Sequence, residues 1–195
     1  MTILTLPSDL RIEMATLELV TNQRVHSSGF NLSEQAVDLL VDRWKASITL
    51  GVRYADEAAA IEAFLNSFRG QVNTVGLWPF YRPVPRGTMR GAPVLAAAVA
   101  QFAASMPVTV TAGATLKAGD FLGLNSQLVQ VASDCTAVGT LLTVPLVNRL
   151  RAAASAGSVV TWQKPTAQFR LLTSPGMVYR QGIVDGLTLD FAEAL

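Results

Sequence analysis

Hydrophobic and polar residues alternate along several segments of the chain, as expected for strands that bury one face and solvate the other. The clearest case is residues 43–52, where apolar side chains occupy every second position from Trp44 to Val52. Residues 14–24 and 187–193 alternate in the same way. These segments predict strands of a sheet that covers a core on one side.

One segment has a helical period instead. Asp56 is placed to cap its first turn, and Gly70 is placed to end it in a left-handed conformation. The helix is therefore predicted over residues 56–69, lying on the sheet. Its apolar stripe would consist of Ala58, Ile61, Phe64, Leu65 and Phe68.

Two segments are ambiguous. Residues 35–42 suit one or two helical turns as well as a half-buried strand, and we favour the strand. Residues 94–104 suit an alanine-rich helix or a strand, and we again favour the strand.

Short β-type runs separated by Gly, Ser and Asn follow as far as about residue 165. Such spacing predicts a small β-barrel or sandwich. The runs are residues 107–111, 120–124, 127–131, 139–144 and 158–162. Further strands are expected at residues 168–172 and 177–182.

The composition is apolar and poor in charge. Of the 195 residues, 50% are hydrophobic and only 15% are charged, against about 25% in typical proteins. The formal net charge of +1 gives no reason to expect a nucleic-acid partner, and no apolar run approaches the roughly 20 residues that span a bilayer. We therefore expect no specific nucleic-acid binding and no membrane insertion. A surface this poor in charge is instead expected to be partly buried between subunits, as in an obligate interface.

The N-terminal residues lack a basic segment ahead of their short apolar stretch, so a secretory signal is not expected. Synthesis and assembly are therefore expected in the cytoplasm. Because the chain has one histidine, His26, and one cysteine, Cys135, a metal site built on several imidazoles or thiolates is not expected. His26 falls in a polar turn, and Cys135 reads as a partly buried side chain at a strand end. We expect no enzyme activity, no catalytic residue and no cofactor.

Residues 82–91 combine prolines, glycines and three arginines, which predicts an irregular loop or a domain boundary. The chain has no acidic residue between Glu62 and Asp120, so these arginines need charges or carbonyls from elsewhere, or water. A solvated loop, a contact with a neighbouring subunit and, less favoured, a contact with DNA all remain open. We assign Arg82, Arg86 and Arg90 as candidate subunit-interface residues, because guanidinium groups form forked hydrogen bonds with carboxylates.

Seven features of the sequence are weak singly and distinctive as an ordered set. They extend from Trp44 to the end of the chain. They are the strand that contains Trp44, the helical residues 58–71, the aromatic strand 74–81, the loop 82–88, the turn 116–120, the stretch 143–151 and the closing strand 187–193.

This set resembles tail proteins of bacteriophages and prophages, and within them the distal tail proteins, ring components that join the tail tube to the hub. The resemblance implies a mainly β fold: a β-sandwich or split barrel with one flanking α-helix, plus an inserted small β-barrel-like domain. The core would comprise residues 1–85 and 167–195, with the helix at 56–69, and the insert residues 86–166. The family implies no catalytic residues.

The implied function is structural. The protein would form a homo-oligomeric ring, of six copies by the resemblance, that connects the tail tube to the hub or baseplate and surrounds the channel. Its partners would be itself, the tail tube protein and hub or baseplate proteins, in the virion tail. Edge strands at both ends of the chain are expected to pair between subunits.

Two alternatives remain. A tail tube or tail-completion protein would differ only in its partners. A host-glycan-binding module, which we favour less, would use an aromatic platform, for which Trp162 and Phe169 are the candidate pair; packing in a core is the favoured interpretation of both.

Overall fold

The structure of the protein is a computed structural model, and it describes residues 2–7, 10–29, 31 and 33–194. Residues 1, 8, 9, 30, 32 and 195 belong to the predicted core ranges 1–85 and 167–195 but lie outside the described residues. The described chain is mainly β, with 44% strand and 7% helix. The expectation of a mainly β protein with one helix is confirmed.

The elements are short, and most strands have two to five residues. In chain order they are β1 (Ile3–Leu4), β2 (Ile12–Val20), β3 (Gln23–Ser27), β4 (Glu34–Asp38), β5 (Arg43–Leu50), β6 (Arg53–Tyr54), α1 (Ala55–Ser67), β7 (Thr74–Leu77), β8 (Val94–Leu95), β9 (Ser105–Thr109), β10 (Thr115–Leu116), β11 (Phe121–Leu124), β12 (Gln127–Gln130), β13 (Cys135–Thr136), β14 (Leu141–Pro145), β15 (Val160–Thr161), β16 (Ala167–Leu171), β17 (Tyr179–Arg180), β18 (Ile183–Val184) and β19 (Leu187–Glu193).

The chain forms two compact units. The first comprises Met1–Glu18, Trp44–Pro83 and Thr166–Leu195, and the second comprises Leu19–Arg43 and Val84–Pro165. The sequence-based division instead assigned residues 19–43 to the first domain and began the insert at residue 86.

The first unit contains a six-stranded sheet in the order β1-β7-β16-β19-β5-β2, which curls into a half-barrel. β1 runs parallel to β7, while the pairs β7–β16, β16–β19 and β19–β5 are antiparallel. The C-terminal strand β19 therefore lies inside the sheet, between β16 and β5. The expectation of edge strands at both chain ends is wrong for the C-terminal end; β1 and β2 are the edges among the described strands.

The core face of this sheet follows the alternation in the sequence. Trp44, Ala46, Ile48 and Leu50 of β5 are buried, as predicted. The predicted alternation fails at Val52, which is 57% exposed because β5 ends at Leu50.

Helix α1 buries Ala58, Ile61, Phe64 and Leu65, as its stripe predicted. Phe68, just beyond the helix, is also buried, and its ring centroid lies 6.1 Å from that of Phe191 in β19. The aromatic residue after the helix therefore joins it to the core of the sheet.

The predicted helix cap is wrong. Tyr54 is the N-cap, it makes no side-chain capping hydrogen bond, and Asp56 lies inside the first turn. Asp56 and Glu57 there still favour the positive end of the helix dipole. At the other end, Arg69 and Gly70 both have positive φ angles, of 49° and 72°, so the left-handed stop begins one residue earlier than predicted.

The second unit has a core of its own, formed by residues from short strands. β9 lies between β8 and β14, and β11 lies between β12 and β15, which confirms short strands in this part of the chain. The predicted strand at residues 94–104 is confirmed only for Val94–Leu95. The largest core residues include Met89, Leu95, Met106, Leu116, Leu122, Leu124, Leu142 and Leu150.

Strands β3 and β4 form a separate antiparallel hairpin within the second unit, with Gln23 opposite Asp38 and Ser27 opposite Glu34. The strand favoured for residues 35–42 is confirmed as far as Asp38, but the expected burial of one face is wrong, because every residue of β4 is exposed. Within the described part of the chain, no helix has the length and hydropathy needed to cross a bilayer.

Candidate subunit interface

The segment from Val84 to Gly91, here called the arginine loop, has no regular strand but keeps a strand-like alternation of burial. Its odd positions from Pro85 to Met89 are buried, and its even positions from Val84 to Arg90 are exposed. Arg86 and Arg90 therefore share the exposed side of the loop.

A buried carboxylate anchors this loop. Asp120, whose side chain is only 2% exposed, accepts hydrogen bonds from the backbone N–H groups of Arg86 at 2.9 Å, Gly87 at 3.1 Å and Lys117 at 2.8 Å. The Nε of Arg86 lies 3.6 Å from Asp120 Oδ1, and its guanidinium also donates to the carbonyl of Ala118. Asp120 thus ties the loop to the turn before β11, while 65% of the Arg86 side chain stays exposed.

The loop also packs directly along β10. The backbone N–H of Met89 donates to the carbonyl of Thr115 at 3.1 Å, and the backbone N–H of Thr115 donates to the Thr88 hydroxyl at 3.0 Å. Gly87 permits this approach, because a Cβ atom there would meet the Thr115 carbonyl and lie 2.6 Å from the Leu116 Cα. The close approach explains why a glycine is required at this position.

Arg90 stabilises the loop from its exposed side. Its guanidinium donates to the carbonyls of Gly87 at 2.9 Å, Met89 at 2.6 Å and, more weakly, Pro85 at 3.4 Å. It also lies 5.0 Å from the ring centroid of Trp162, a cation–π distance. Arg86 and Arg90 have no acidic neighbours in the sequence, but within the folded chain they contact backbone carbonyls, the Trp162 ring and Asp120.

Of the three predicted interface residues, Arg86 and Arg90 lie together on the arginine loop of the second unit. Arg82 lies in the first unit, where it is exposed and its backbone N–H donates to the carbonyl of Pro79 at 2.9 Å. Sequence reasoning missed Asp120 as the residue that positions the loop. The available signal was an aspartate that ends a Lys-Ala-Gly-Asp turn before an apolar strand.

The hairpin of β3 and β4 is a second candidate surface, which the sequence did not reveal. Every residue of both strands is exposed, including Val25 at 55% and Val37 at 38%. Two-stranded hairpins are marginally stable at best in water, so this one needs contacts beyond its own ladder.

The two faces of the hairpin differ in charge. Residues directly opposite each other in the ladder share a face, so Glu34 and Asp38 lie with Ser27 and Gln23. Val25 and Ala36 occupy the middle of that face. We call it the acidic face.

The opposite face carries Arg24 and His26, paired with Val37 and Gln35. His26 was predicted to lie in a turn and lies in β3 instead, although it is exposed as expected. A cleft of about 350 Å³ adjoins the base of the hairpin. Its lining includes Asp38, Asp42 and Arg149.

Cys135, Trp162 and Phe169, which were considered for thiol chemistry or glycan binding, are all at least partly buried. Cys135 is partly buried in β13, and burial raises the pKa of its thiol above the ordinary value. Trp162 donates from Nε1 to the carbonyl of Gly91 at 2.9 Å beneath Arg90, and Phe169 is fully buried. Trp162 packs against the core of the second unit, so core packing is confirmed for both aromatic residues. Among the described residues, no group of three or more His, Cys, Asp or Glu side chains is placed to hold a metal ion.

The arginine loop and the acidic face of the hairpin are thus the two surfaces from which function can be argued. Both belong to the second unit. No protein-family model matches the chain, and no curated protein matches it.

Proposed function

We propose that this protein is a structural component of a bacteriophage or prophage tail. It forms a homo-oligomeric ring, of six copies by the resemblance of its sequence, that surrounds the channel and joins the tail tube to the hub or baseplate. It has no enzymatic role and uses no cofactor. Its partners are further copies of itself, the tail tube protein and hub or baseplate proteins.

The observation that carries the proposal is the hairpin of β3 and β4. Its described strand residues are all exposed, and it displays valines on both faces. A hairpin of this kind gains stability when a neighbouring subunit covers it. In a ring every subunit has two neighbours, so such a surface is covered in every copy.

Two further features support an assembled state. Strand β2 is a nine-residue edge of the six-stranded sheet, and long edges favour pairing with another chain unless they are protected. The composition also fits, because 15% charged residues leave much of the surface apolar. Burial of part of that surface between subunits removes it from water.

A tail tube or tail-completion protein is the second candidate. It would use the same exposed hairpin and edge strand and would differ only in the proteins above and below it. The position of the chain in an intact particle distinguishes the two.

A host-glycan-binding role is disfavoured by the geometry of the aromatic residues. A glycan platform requires exposed rings, whereas Arg90 lies over the ring of Trp162 and Phe169 is fully buried. Binding on a glycan array that is lost in a folded Trp162→Ala variant would revive this role.

Native mass spectrometry and sedimentation of the full chain test the ring directly. A discrete closed oligomer, with six copies as the expected number, supports the proposal. A monomer at every concentration up to about 100 μM, well above the Kd expected for obligate interfaces, would overturn it. Cryo-electron microscopy of an intact particle then places the chain between tube and hub, or elsewhere.

The joint variant Arg82→Ala, Arg86→Ala and Arg90→Ala is expected to weaken assembly. The contacts of Arg90 with three carbonyls and Trp162 mean that this variant also loosens the arginine loop. The single variant Arg86→Ala is therefore the sharper test. The three backbone hydrogen bonds to Asp120 remain possible without the Arg86 side chain.

A further inference from the structure

The acidic face of the hairpin and the exposed side of the arginine loop are complementary in charge. On β4, Glu34 and Asp38 flank Ala36 on one face. On the loop, Arg86 and Arg90 flank Thr88 on the exposed side. Each surface thus presents two like charges four positions apart, around a small uncharged residue.

The spacing of the two charge pairs is compatible. Four residues of a strand cover about 13 Å, which sets the separation of Glu34 and Asp38 along β4. Arg86 and Arg90 are equally far apart in sequence and carry long, flexible side chains that can adjust to this span. Apolar residues accompany the charges on both surfaces, Val84 beside the arginines and Val25 beside the carboxylates.

The two arginines are not equivalent as donors to a partner. Arg90 already directs its guanidinium at three carbonyls and lies over Trp162. The Arg86 guanidinium donates to one carbonyl, that of Ala118, and its Nε lies 3.6 Å from Asp120 Oδ1, but 65% of the side chain is exposed, while Asp120 holds its backbone in place. Arg86 is therefore the arginine preorganised to reach a carboxylate outside its own chain.

The charge distribution along the sequence also favours a partner of this kind. Residues 84–165 contain six lysines and arginines and only two acids, whereas the rest of the chain has nine basic and twelve acidic residues. A second copy of this chain therefore supplies an acidic surface to the basic part of the first. Opposite charges on the two sides of an interface steer association and fix its register.

We propose that the arginine loop of one copy binds the acidic face of the hairpin of the next copy, with Arg86 pairing with Glu34, because Asp38 Oδ1 already accepts a hydrogen bond from the backbone N–H of Leu40 at 2.8 Å. This inference rests on the proposed homo-oligomeric ring and specifies which surfaces form its contact. In the proposed ring each copy binds one neighbour through its loop and the other through its hairpin, so the contact is head-to-tail, the type of interface that generates closed rings. The cleft beside Asp38 leaves room for a long side chain at that end of the face.

A charge-swap experiment on the full chain tests the contact. Glu34→Arg reverses a charge at an exposed hairpin position, and Arg86→Glu reverses its proposed partner. Each single variant is expected to raise the concentration needed for assembly by about tenfold or more, because like charges then face each other at every contact. Gln35→Arg is the control for added positive charge, because it lies on the opposite face of the same strand.

Mixing the two variants gives the decisive measurement. In an alternating ring, the Arg86→Glu loop meets the Glu34→Arg hairpin at one contact, and the two unchanged surfaces meet at the next. Both contacts are then complementary, so an equimolar mixture is expected to assemble at close to the wild-type concentration. The double variant in one chain is expected to assemble alone.

Circular dichroism and thermal unfolding establish that each variant folds. Arg86→Glu places a second acid beside Asp120 and could detach the loop, so Arg86→Gln serves as a milder variant. Arg86→Gln should raise the concentration needed for assembly by about threefold. The protein concentration that the wild type needs for assembly should also rise as NaCl is increased from about 50 to 500 mM, because salt screens exposed charge pairs.

The outcomes separate the two proposals. If the wild type assembles and the folded single variants assemble equally well, or their mixture fails to recover, the loop-to-hairpin contact is wrong while the ring stands. If the wild type is a monomer at every concentration, the ring proposal itself fails.

Discussion

Replacing Asp120 by asparagine isolates the role of the buried carboxylate in holding the arginine loop. The side chain keeps its size, but one of its two oxygens becomes an NH₂ group, which cannot accept a hydrogen bond. In the structure, Oδ1 accepts from the N–H of Arg86, and Oδ2 accepts from the N–H groups of Gly87 and Lys117. Either orientation of the amide therefore leaves at least one N–H facing another donor.

The expected cost follows from these contacts. A buried donor left without an acceptor costs about 1–3 kcal/mol, and the remaining bonds lose the assistance of a full negative charge. The amide is expected to orient so that it keeps the two bonds now made to Oδ2. We therefore expect Asp120→Asn to weaken the attachment of the loop by about 2 kcal/mol. Asp120→Ala removes both acceptor oxygens, and with them all three hydrogen bonds, and should cost about 3–5 kcal/mol.

Amide hydrogen exchange is the appropriate assay, because it reports local opening without requiring the two units to unfold together. In the attached loop, the Gly87 N–H donates a hydrogen bond to Asp120 and the Met89 N–H donates one to the Thr115 carbonyl, so both amides are protected from exchange. Each 1.4 kcal/mol corresponds to a tenfold change in an equilibrium constant, so these amides should exchange about 30-fold faster in Asp120→Asn.

Asp134→Asn is the matched control. Asp134 lies nearby and also accepts a backbone N–H, that of Ala118 at 2.8 Å, but its side chain is 59% exposed. Because water can replace its contacts, the loop amides should exchange at nearly the wild-type rate. Equal exchange in wild type and Asp120→Asn would refute the view that buried carboxylate contacts hold the loop.

Three further predictions concern other contacts. Gly87→Ala should lower stability by about 2 kcal/mol, measured by thermal unfolding, because its Cβ would meet the Thr115 carbonyl; an unchanged Tm would show that the loop shifts freely. Phe68→Ala should cost about 3–5 kcal/mol in urea unfolding, because its fully buried ring packs in the core of the first unit; a loss below 1 kcal/mol would contradict that packing. The pKa of Asp134 lies below the ordinary value of 3.8, chiefly because Lys117 donates a hydrogen bond to its carboxylate. The ion pair therefore contributes to folding stability above about pH 4, and this contribution is lost as the pH falls through the lowered pKa. Lys117→Ala should return this pKa toward 3.8 in an NMR titration, and an unmoved pKa would assign the shift to the Ala118 N–H instead.

The part of the fold that sequence predicts well is the part in which one face of an element is buried. Alternation located β5 and β19, and the helical stripe located α1, because burial on one side imposes a period of 2.0 or 3.6 on the chain. β11 and β12 were located in a different way, by the Gly, Ser and Asn residues that bound their short apolar runs, because β11 is buried on both faces.

Contacts between residues distant in sequence were not predictable in this way. Asp120 lies 34 positions from Arg86, and its acceptor role depends on a loop packing beside a turn. A strand was favoured near β4, but its pairing with β3 and the exposure of both faces were not predicted, because a strand exposed on both faces has no periodic burial to reveal it. The cap at Asp56 failed because the helix begins immediately after β6, one residue before the aspartate.

The antiparallel pairing of β7 with β16 allows the long connection between these two strands to vary in length. Residues 84–165 leave the first unit after β7 and return just before β16, and these strands are antiparallel neighbours with Leu77 opposite Ala167. The ends of such a pair are normally joined by a short turn, so an insertion between them leaves the pairing of the sheet unaltered. Lengthening a connection is also inexpensive in entropy, at about 0.6 kcal/mol for each doubling. The connection between these two strands can therefore change in length while the pairing of the sheet stays the same.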